Sequence, residues 1–483
     1  FRENNGKNPD NVFFYNFDAS NNPTSTRNRL NDQKSDEFSI EYSSNFTKNF
    51  KKEDHKLTVD FAVSQNRENE FATIYDQILG DPSSLETEGT TNKNNQQRNL
   101  VQTDYVLPIG KSGRFEAGYR GSFQKNLTDF VVTPVSDFSN TLEYVENVNA
   151  FYTQYGSKIN KFSYFLGLRF EDSHIEVNSL SLNNYNTKKY NNLFPSATVN
   201  YEFSESSSVS LSYSKRINRP RGRFLNPVSS LSSNINIFQG NPDIDPSLTD
   251  AIDLGYLKKW NKLTFNTSAY VNITNDAFQF IRKESGLFVD GVPVILSTPI
   301  NLAKEYRAGF EFNLNYTPYK WWRLNGNFNA FRNETQGDYS YVDYLGNTIT
   351  QNFDNVALTW FARINSKITL PYKIDWQTNG TYNAPQSNAQ GKSLGVASMN
   401  IAFSKDFLKD KASISLNVSD VFNSRKRIME TEIPNVVSSY SEMQWRERQV
   451  MLTFTYRFNK QKNERDRQQK REDNGEGDFM GRP

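Results

Sequence analysis

The sequence predicts an all-β fold, a transmembrane antiparallel β-barrel of which about 17 strands are present. Apolar and polar residues alternate: the apolar positions of segment 57–63 are every second residue, and a strand turns successive side chains to opposite faces. Short polar turns such as Lys51–His55 and Thr317–Lys320 alternate with longer loops such as 65–94 and 218–247. Short turns on one rim and long loops on the other are typical of outer-membrane barrels.

Composition favours this barrel over a soluble domain. Hydrophobic residues make up 36% of the chain and aromatic residues 14%, whereas soluble domains are roughly 45–50% apolar. A barrel with an apolar outer face and a polar lumen reconciles the two values. The sequence has no apolar run of about 18 residues, so a membrane helix is excluded. The absence of Cys excludes disulfides and thiolate metal sites without indicating a compartment, and the formal charge of +2 indicates no partner.

The alternation assigns the strands in chain order, each bounded by a turn or loop. Most segments are long enough for the roughly 9–11 tilted residues that cross the hydrocarbon. The strands are predicted at 38–50, 56–66, 95–108, 114–126, 141–156, 161–173, 191–203, 207–218, 248–260, 263–280, 296–316, 321–334, 352–370, 373–384, 393–404, 411–423 and 436–458.

Strand parity predicts that the chain is a piece of a longer barrel. If the short turns are periplasmic, the first and last predicted strands both run toward the periplasm. Bacterial single-chain barrels have an even number of strands with both ends on that side, so an odd number is expected before Phe1. The chain also lacks an initiator Met and a signal peptide. Residues 1–37 are thus predicted to be an extracellular loop or a strand remnant, and residues 38–458 the transmembrane barrel.

Tryptophans mark the rim of the short turns. Trp260, Trp321 and Trp322 lie beside such turns, and Trp376 follows the turn at Pro371. Because Trp and Tyr prefer the headgroup zone, these residues are expected to form a girdle at the periplasmic interface.

A family resemblance is carried by residues 193–256. This stretch contains LFPSATVNYEF, SLSYSKRINRP, FLNP and GNPDIDPSLTDAIDLGY in succession, and KFSYFLGLRF at 161–170 is similar too. In these motifs the chain resembles the C-terminal barrel of TonB-dependent outer-membrane receptors, in the branch found in Bacteroidetes-type bacteria. The resemblance covers most of residues 38–458. It implies a 22-stranded barrel, with five strands, a plug domain, a signal peptide and often a small β-sandwich before Phe1, and it identifies no ligand.

The loop after Gly240 departs from the family pattern because it is more acidic. Asp245 precedes its second proline, Ser247 follows that proline, and Asp243 lies two residues before Asp245. Two carboxylates at this spacing suit Ca²⁺, but Asp residues beside prolines more often form turns. We predict neither a metal site nor a cofactor here.

Contacts to a ligand or to the plug are predicted on the strand and loop that carry these motifs. With Val209 and Leu211 facing lipid, Arg216 faces the lumen, where an anionic ligand, the plug or water alone would meet it. Pro220 cannot donate to the sheet ladder, so parity assigns no face to Arg219. The predicted contacts are Arg216, Asn218, Arg219, Phe224, Phe238, Asn241, Asp243 and Asp245. Aromatic residues of loops 65–94, 126–140 and 218–247 are expected to enclose a ligand or to pack the loops together: Phe71, Tyr75, Phe130, Phe138, Phe224 and Phe238.

Catalytic and nucleic-acid signals are missing from the sequence. Both Gly-Lys-Ser triplets, at 110–112 and 391–393, lack the upstream Gly of a phosphate loop. The two His residues are too few for a histidine metal cage. Ser173 and His174 are neighbours on a strand and point to opposite faces. The sequence therefore predicts no catalytic residue and no enzyme, and its balanced charge argues against nucleic acid as a partner.

The last 25 or so residues differ from the barrel in composition. Residues 459–483 mix both charges densely and contain few apolar residues, so they are predicted to be a disordered periplasmic tail. Phe479 and Met480 would anchor it if it docks on a partner.

Two functions are compatible with these observations. In the first, which rests on the resemblance, the protein takes up a scarce extracellular ligand through a plugged barrel, and a TonB complex acts through the region expected before Phe1. In the second, a non-transporting barrel is a scaffold subunit of an assembly, secretion or surface-lipoprotein complex. The expected partners are the TonB complex, surface lipoproteins or other outer-membrane subunits, the lipid bilayer and lipopolysaccharide. The expected location is the bacterial outer membrane.

Overall fold

The structure is a computed structural model that describes residues 2–18, 20–134, 139–226, 235–289, 291–409, 411–433 and 436–458. Its helical elements are α1 (Gly222–Leu225) and the 3-10 turns Pro82–Ser84 and Pro371–Lys373. Among the described residues, no helix has the length and apolarity that crossing a membrane would require. The strands are β1 (Arg2–Phe17), β2 (Pro23–Asn49), β3 (Lys56–Ile78), β4 (Glu86–Ile109), β5 (Gly113–Thr133), β6 (Asn140–Ile159), β7 (Phe162–Ser179), β8 (Asn184–Ser204), β9 (Ser207–Asn218), β10 (Asn236–Phe238), β11 (Ser247–Lys259), β12 (Leu263–Val289), β13 (Val292–Tyr319), β14 (Trp322–Gln336), β15 (Asp338–Val342), β16 (Thr348–Asn352), β17 (Asn355–Leu370), β18 (Ile374–Asn383), β19 (Gln386–Asn388), β20 (Gly391–Ser393), β21 (Val396–Phe407), β22 (Ala412–Ser419), β23 (Arg427–Ile433), β24 (Val437–Met443) and β25 (Gln449–Tyr456).

One large sheet forms the wall of the molecule. It contains 19 strands, and all of them except β10 pair antiparallel with neighbours that follow the chain order. Strands β1 to β9 come first, followed by β11, β12, β13, β14, β17, β18, β21, β22 and β25. In the described part of the chain no pairing joins β1 to β25, so these two strands are the edges of the sheet. Two smaller sheets, β15–β16 and β19–β20–β23–β24, belong to long connections between wall strands.

The predicted fold class is confirmed, with two corrections to the strands. Every predicted strand overlaps a wall strand, and the turns Lys51–His55 and Thr317–Lys320 lie on the same rim. Residues 2–17, expected within a loop or strand remnant, form β1 along the outer part of β2. With β1 and the short strand β10, the wall has two strands more than the 17 predicted. The predicted strand 436–458 is two elements, of which only β25 belongs to the wall. The predicted tail, 459–483, lies outside the described residues.

Several expected loops are continuations of strands. Residues 65–94 belong mostly to β3 and β4, whose pairing continues to Asp76 and Glu86. Strands β12 and β13 contain 27 and 28 residues, although about 9–11 suffice to cross the hydrocarbon. Their outer parts therefore project beyond the bilayer, and there Ile281, Ile300 and Leu302 form a buried apolar cluster with Phe353, which lies just before β17. The alternation of apolar and polar residues ends at the edge of the bilayer, although the strands continue to pair through their backbones. For this reason these residues were predicted to be loops.

The outer surface of the wall carries exposed apolar side chains. Leu211 and Leu254 pair across β9 and β11 and are 52% and 50% exposed, as a lipid-facing band requires. Trp260 and Trp321 are also exposed, and Trp321 stacks on Tyr319 with ring centroids 5.1 Å apart. The predicted aromatic girdle therefore lies at the short-turn rim.

The chain between β9 and β11 folds onto the inner surface of the wall. We call residues 219–226 and 235–246 the inner segment. Its residues Leu225 and Ile244, each 1% exposed, pack in one apolar cluster with Leu142 of β6 and Val177 of β7. At the same time its strand β10 pairs in parallel with β13. Strands β6 and β13 are far apart in the order of the wall, so the sheet must curve around the inner segment.

Candidate functional site

The inner segment is held in place by its own backbone as well as by the wall. Asn241 N donates to Phe224 O at 2.7 Å, which closes the segment on itself, and Asn241 Nδ2 donates to Pro299 O of β13 at 3.2 Å. A Cβ on Gly240 would collide with the backbone carbonyl of Asn226. Glycine is therefore required at this close approach.

The acidic pair of the inner segment binds the wall. Asn186 Nδ2 donates to Asp243 Oδ1 at 2.9 Å, while Lys188 Nζ and Tyr190 OH both donate to Asp245 Oδ1 at 2.9 Å. These three donors lie on β8. In the described ranges, no group of three or more His, Asp or Glu side chains is arranged to hold a metal ion. The geometry makes Asp243 and Asp245 attachment points for the segment.

Arg219 is the basic anchor of the same segment. Its Nη2 donates to Glu171 Oε2 at 2.6 Å and to Ser173 Oγ at 2.7 Å. Its Nε lies 3.5 Å from Glu146 Oε1, an ion-pair contact without a hydrogen bond. Glu171 and Ser173 are 6% and 0% exposed, and Arg169 Nε also donates to Glu171 at 2.7 Å. Arg219 thus points to the inner surface, where its contacts with Glu171 and Ser173 hold the segment.

The other two predicted contacts on β9 lie apart from this anchor. Arg216 is exposed and its Nε donates to Ser214 Oγ at 3.1 Å. Asn218 is also exposed and lies opposite Ser247 in the ladder. Neither side chain lines the cavity described next.

A cavity of about 470 Å³ lies between the inner segment and the outer parts of β12, β14 and β17. The rings of Phe224, Phe238 and Phe280 border it, with centroids 5.3 to 6.1 Å apart. The guanidinium of Arg223 lies over two of these rings, 5.6 Å from Phe224 and 5.2 Å from Phe238. The structure therefore brings two predicted site residues, Phe224 and Phe238, to one site.

Four arginines line this cavity without a carboxylate among its lining residues: Arg221, Arg223, Arg282 and Arg427. Arg282 is about 20 residues beyond the short turn at Lys262, well past the roughly 9–11 residues that cross the membrane. Burial, together with the neighbouring guanidinium of Arg427, lowers the pKa of Arg282. The four residues and the three phenylalanines are referred to below as the Arg–Phe cavity.

Gln390 fixes the backbone that carries Arg282. It is 3% exposed, its Oε1 accepts from Arg282 N at 2.8 Å, and its Nε2 donates to Arg282 O at 2.8 Å. Gln390 lies in the turn between β19 and β20, so this outer hairpin is tied to β12. The position of one cavity arginine is thereby set by a residue 108 positions away.

A second cavity of about 380 Å³ adjoins the first. Arg223 and Phe238 line both, and the second is otherwise rich in amides, including Asn92, Asn94 and Asn126 of β4 and β5. The inner segment therefore divides the space inside the outer mouth into a guanidinium-rich part and an amide-rich part.

Sequence reasoning missed most of the Arg–Phe cavity. Arg221 and Arg223 belong to the run RPRGRF at 219–224, whose density of basic residues beside an aromatic was a usable signal. Arg282, Arg427 and Phe280 gave no signal, because distant strands bring them to the site. Of the other predicted aromatics, Phe71 and Tyr75 are exposed on β3, Phe130 lines the second cavity, and Phe138 lies outside the described residues.

Ser173 and His174 are separated, as predicted. His174 Nε2 lies 2.8 Å from Glu176 Oε1, whereas Ser173 accepts its hydrogen bond from Arg219 on the other face of β7.

Comparisons with known proteins agree on the architecture. The model of the outer membrane protein beta-barrel family matches residues 48–456. No curated protein matches this sequence.

Several solved structures are similar to it. The ferric-catecholate import receptor Fiu from E. coli K12 is 13% identical with a TM-score of 0.56, covering 91% of this chain and 65% of that one. The copper transporter OprC is 11% identical with a TM-score of 0.58, covering 90% and 74%. BauA, the ferric preacinetobactin receptor from Acinetobacter baumannii, is 12% identical with a TM-score of 0.55, covering 89% and 63%. At these identities the likeness shows the fold alone, and this chain spans less than two thirds of Fiu and BauA.

Proposed function

The chain belongs to the outer membrane protein beta-barrel family, and from that premise we propose that it is the barrel of a TonB-dependent receptor that takes up a scarce extracellular ligand. The observation that carries the proposal is the Arg–Phe cavity. It lies in the outer mouth, beyond the bilayer, where an extracellular solute would arrive. A barrel that only anchors other subunits has no use for a formed cavity of about 470 Å³ at this place.

The motifs around the inner segment support the same function. The sequence FLNP and the loop after Gly240 carry the resemblance to TonB-dependent receptors. Phe224, the first residue of FLNP, lines the cavity, and Asp243 and Asp245 of the loop attach the inner segment to β8. The solved structures similar to this chain include proteins described as an import receptor and as a copper transporter.

Uptake through such a barrel needs a gate, because a barrel of this width otherwise leaves an open lumen. We therefore propose that a plug domain precedes this chain in the intact protein and that the TonB complex acts through that region. Energy coupling would then belong to the plug, and first recognition of the ligand to the mouth.

The test measures solute depletion by cells that carry the full-length gene. Cells are given yeast-extract solutes, and mass spectrometry follows which solutes disappear from the medium. We expect at least one solute to be depleted by wild-type cells but not by cells lacking TonB, nor by cells with Phe224, Phe238 and Phe280 each changed to Ala. The matched control is Phe13→Ala, an exposed ring of β1 outside the cavity, which should deplete the solute normally.

A second candidate function is a scaffold for other outer-membrane proteins. One observation favours it: around the outer sheet β19–β20–β23–β24, Tyr440, Met443 and Trp445 are 61%, 51% and 67% exposed. If no solute depends on TonB or on the cavity rings, while deletion of the gene impairs membrane-protein assembly or secretion, the scaffold function replaces the receptor.

A further inference from the structure

We infer that the Arg–Phe cavity binds a small organic polyanion that carries a flat ring. The inference rests on the receptor function proposed above and names its class of ligand. It follows from three features of the cavity: its charge, its aromatic surface and its size.

Within the described part of the chain, the charge of the cavity has no acidic counterpart. Among the described residues, no carboxylate forms an ion pair or hydrogen bond with the side chains of Arg221, Arg223, Arg282 or Arg427. The residues that join the two parts of the inner segment in the sequence, PVSSLSSN at 227–234, lie outside the described residues and include no acidic residue.

Three carboxylates on strands that line the cavity form ion pairs with other basic residues. Glu305 accepts from Arg307 at 3.3 Å, Glu334 pairs with Arg332 at 2.5 Å, and Glu430 pairs with Lys392 at 3.0 Å. These three carboxylates are thus paired with basic groups other than the cavity arginines. Bringing several guanidinium groups together without counter-charges is unfavourable in a partly buried site, and an anionic ligand removes that cost.

Guanidinium groups also define which anions fit. Each presents a planar set of donors that matches a carboxylate or phosphate in a bidentate contact. Four guanidinium groups line this one cavity of about 470 Å³, so a small ligand that matches them should carry more than one anionic group. A monoanion would leave most of the positive charge unpaired.

The three phenylalanines add a requirement for an apolar, flat part of the ligand. Phe280 is 43% exposed, and its ring lies 5.3 Å from that of Phe224 and 6.1 Å from that of Phe238. These rings offer faces and edges on which another ring can stack. An inorganic polyanion would use the arginines and leave this aromatic surface in water.

The test uses the purified full-length protein in detergent and benzene-1,3,5-tricarboxylate as the probe, with binding measured by calorimetry. We expect saturable binding by the wild type. The double variant Arg282→Gln with Arg427→Gln should bind the probe about 100-fold more weakly, since two charge-assisted contacts are lost. The control with the same change in net charge is Arg2→Gln with Arg114→Gln, two arginines outside the cavity, and it should bind as the wild type does.

Two further ligands separate the contributions of charge and ring. The neutral benzene-1,3,5-tricarboxamide should not bind, and cyclohexane-1,3,5-tricarboxylate should bind about 5-fold more weakly than the aromatic acid because it cannot stack. Circular dichroism and the heat-dependent gel shift of folded barrels confirm that each variant is folded. The inference is overturned if the wild type does not bind the aromatic acid, if the double variant binds it equally well, or if the neutral amide binds as tightly.

Failure of this inference is distinguishable from failure of the receptor function. If the purified protein binds the tricarboxylate through Arg282 and Arg427 but TonB depletes no solute in cells, the site stands and the transport proposal fails. If cells deplete a neutral solute by a route that needs TonB and the cavity rings, while the purified protein ignores the tricarboxylate, transport stands and the polyanion class is wrong.

Discussion

Two sets of arginines on the same inner surface have opposite surroundings. Arg219, at the start of the inner segment, meets a buried Glu171 at 2.6 Å and a buried Ser173 at 2.7 Å. Four residues further along, Arg223 meets two aromatic rings and no carboxylate among the described residues. One short stretch of chain therefore carries a guanidinium that holds the fold together and another that faces an open cavity.

The difference distinguishes two kinds of arginine: one whose charge is neutralised by a carboxylate of the protein and one whose charge is available to a ligand. A guanidinium that forms an ion pair with a buried carboxylate has its charge neutralised within the protein, so it attracts an anionic ligand only weakly. The same pattern holds at the outer ends of β2 and β3, where Asp76, 2% exposed, accepts from Arg27 at 2.7 Å and from Arg29 at 2.6 Å. Among the described residues the cavity arginines have no such carboxylate partner, so removing charge should have opposite effects on stability at the two kinds of site.

The largest effect is expected at Asp76. In Asp76→Asn the buried guanidinium groups of Arg27 and Arg29 lose their shared counter-charge, so the free energy of unfolding should fall by about 3–5 kcal/mol. Urea unfolding in lipid vesicles measures it. Asp54→Asn, at an exposed turn residue, is the control and should change stability little. A loss at Asp76 no larger than that of the control would show that the paired arginines are not structural.

Glu171→Gln should have the next largest effect. Arg219 and Arg169 both lose a charged acceptor in a largely buried place, and we expect a loss of about 2–3 kcal/mol in unfolding free energy. Because Arg219 anchors the inner segment, amide hydrogen exchange should also accelerate in residues 219–226 and 235–246. Unchanged exchange there would mean that the segment is held without this ion pair.

Removal of a cavity charge should have the opposite sign. In the ligand-free protein, Arg282→Gln removes one of two neighbouring positive groups, so the unfolding free energy should rise by about 0.5–1 kcal/mol. Arg332→Gln, which breaks a pair with Glu334, is the matched control and should not stabilise. If Arg282→Gln destabilises the protein, Arg282 has a structural role and the distinction between the two sets fails.

The smallest effect is expected at the outer attachment of the inner segment. Asp245 accepts from Lys188 and Tyr190, but its side chain is 59% exposed, and exposed ion pairs contribute little. Asp245→Asn should therefore lower the unfolding free energy by less than about 1 kcal/mol. A loss above 2 kcal/mol would place the main anchor at Asp245 instead of at Arg219.

The same contrast explains how much of the fold was predictable. Within the bilayer, one face of each strand meets lipid and the other the lumen, so residues such as Leu211 and Leu254 alternate with polar ones and reveal the strand. Beyond the bilayer β3 and β12 continue to pair through their backbones and bury residues such as Ile74 and Ile281 within the protein. Their side chains there lack the regular alternation of apolar and polar residues that marks a membrane-crossing strand, and for the same reason residues 2–17 of β1 were expected only within a loop or strand remnant.

Only the residues of the site that lie close to one another in the sequence could be predicted. Phe224 and Phe238 stand near the motifs of the resemblance and were anticipated. Arg282 and Arg427 come from β12 and β23, and only the curvature of the wall brings them together with the inner segment. Arg219 could not be assigned by parity because Pro220 ends the strand, and its buried partner Glu171 lies 48 positions earlier.

The most direct test of the account is a structure of the full-length protein determined with benzene-1,3,5-tricarboxylate bound. We predict density for the probe in the Arg–Phe cavity, with carboxylates at Arg282 and Arg427, its ring against Phe280, and Arg219 still bound to Glu171. Density elsewhere in the barrel, or cavity arginines paired with carboxylates of the protein itself, would contradict the account.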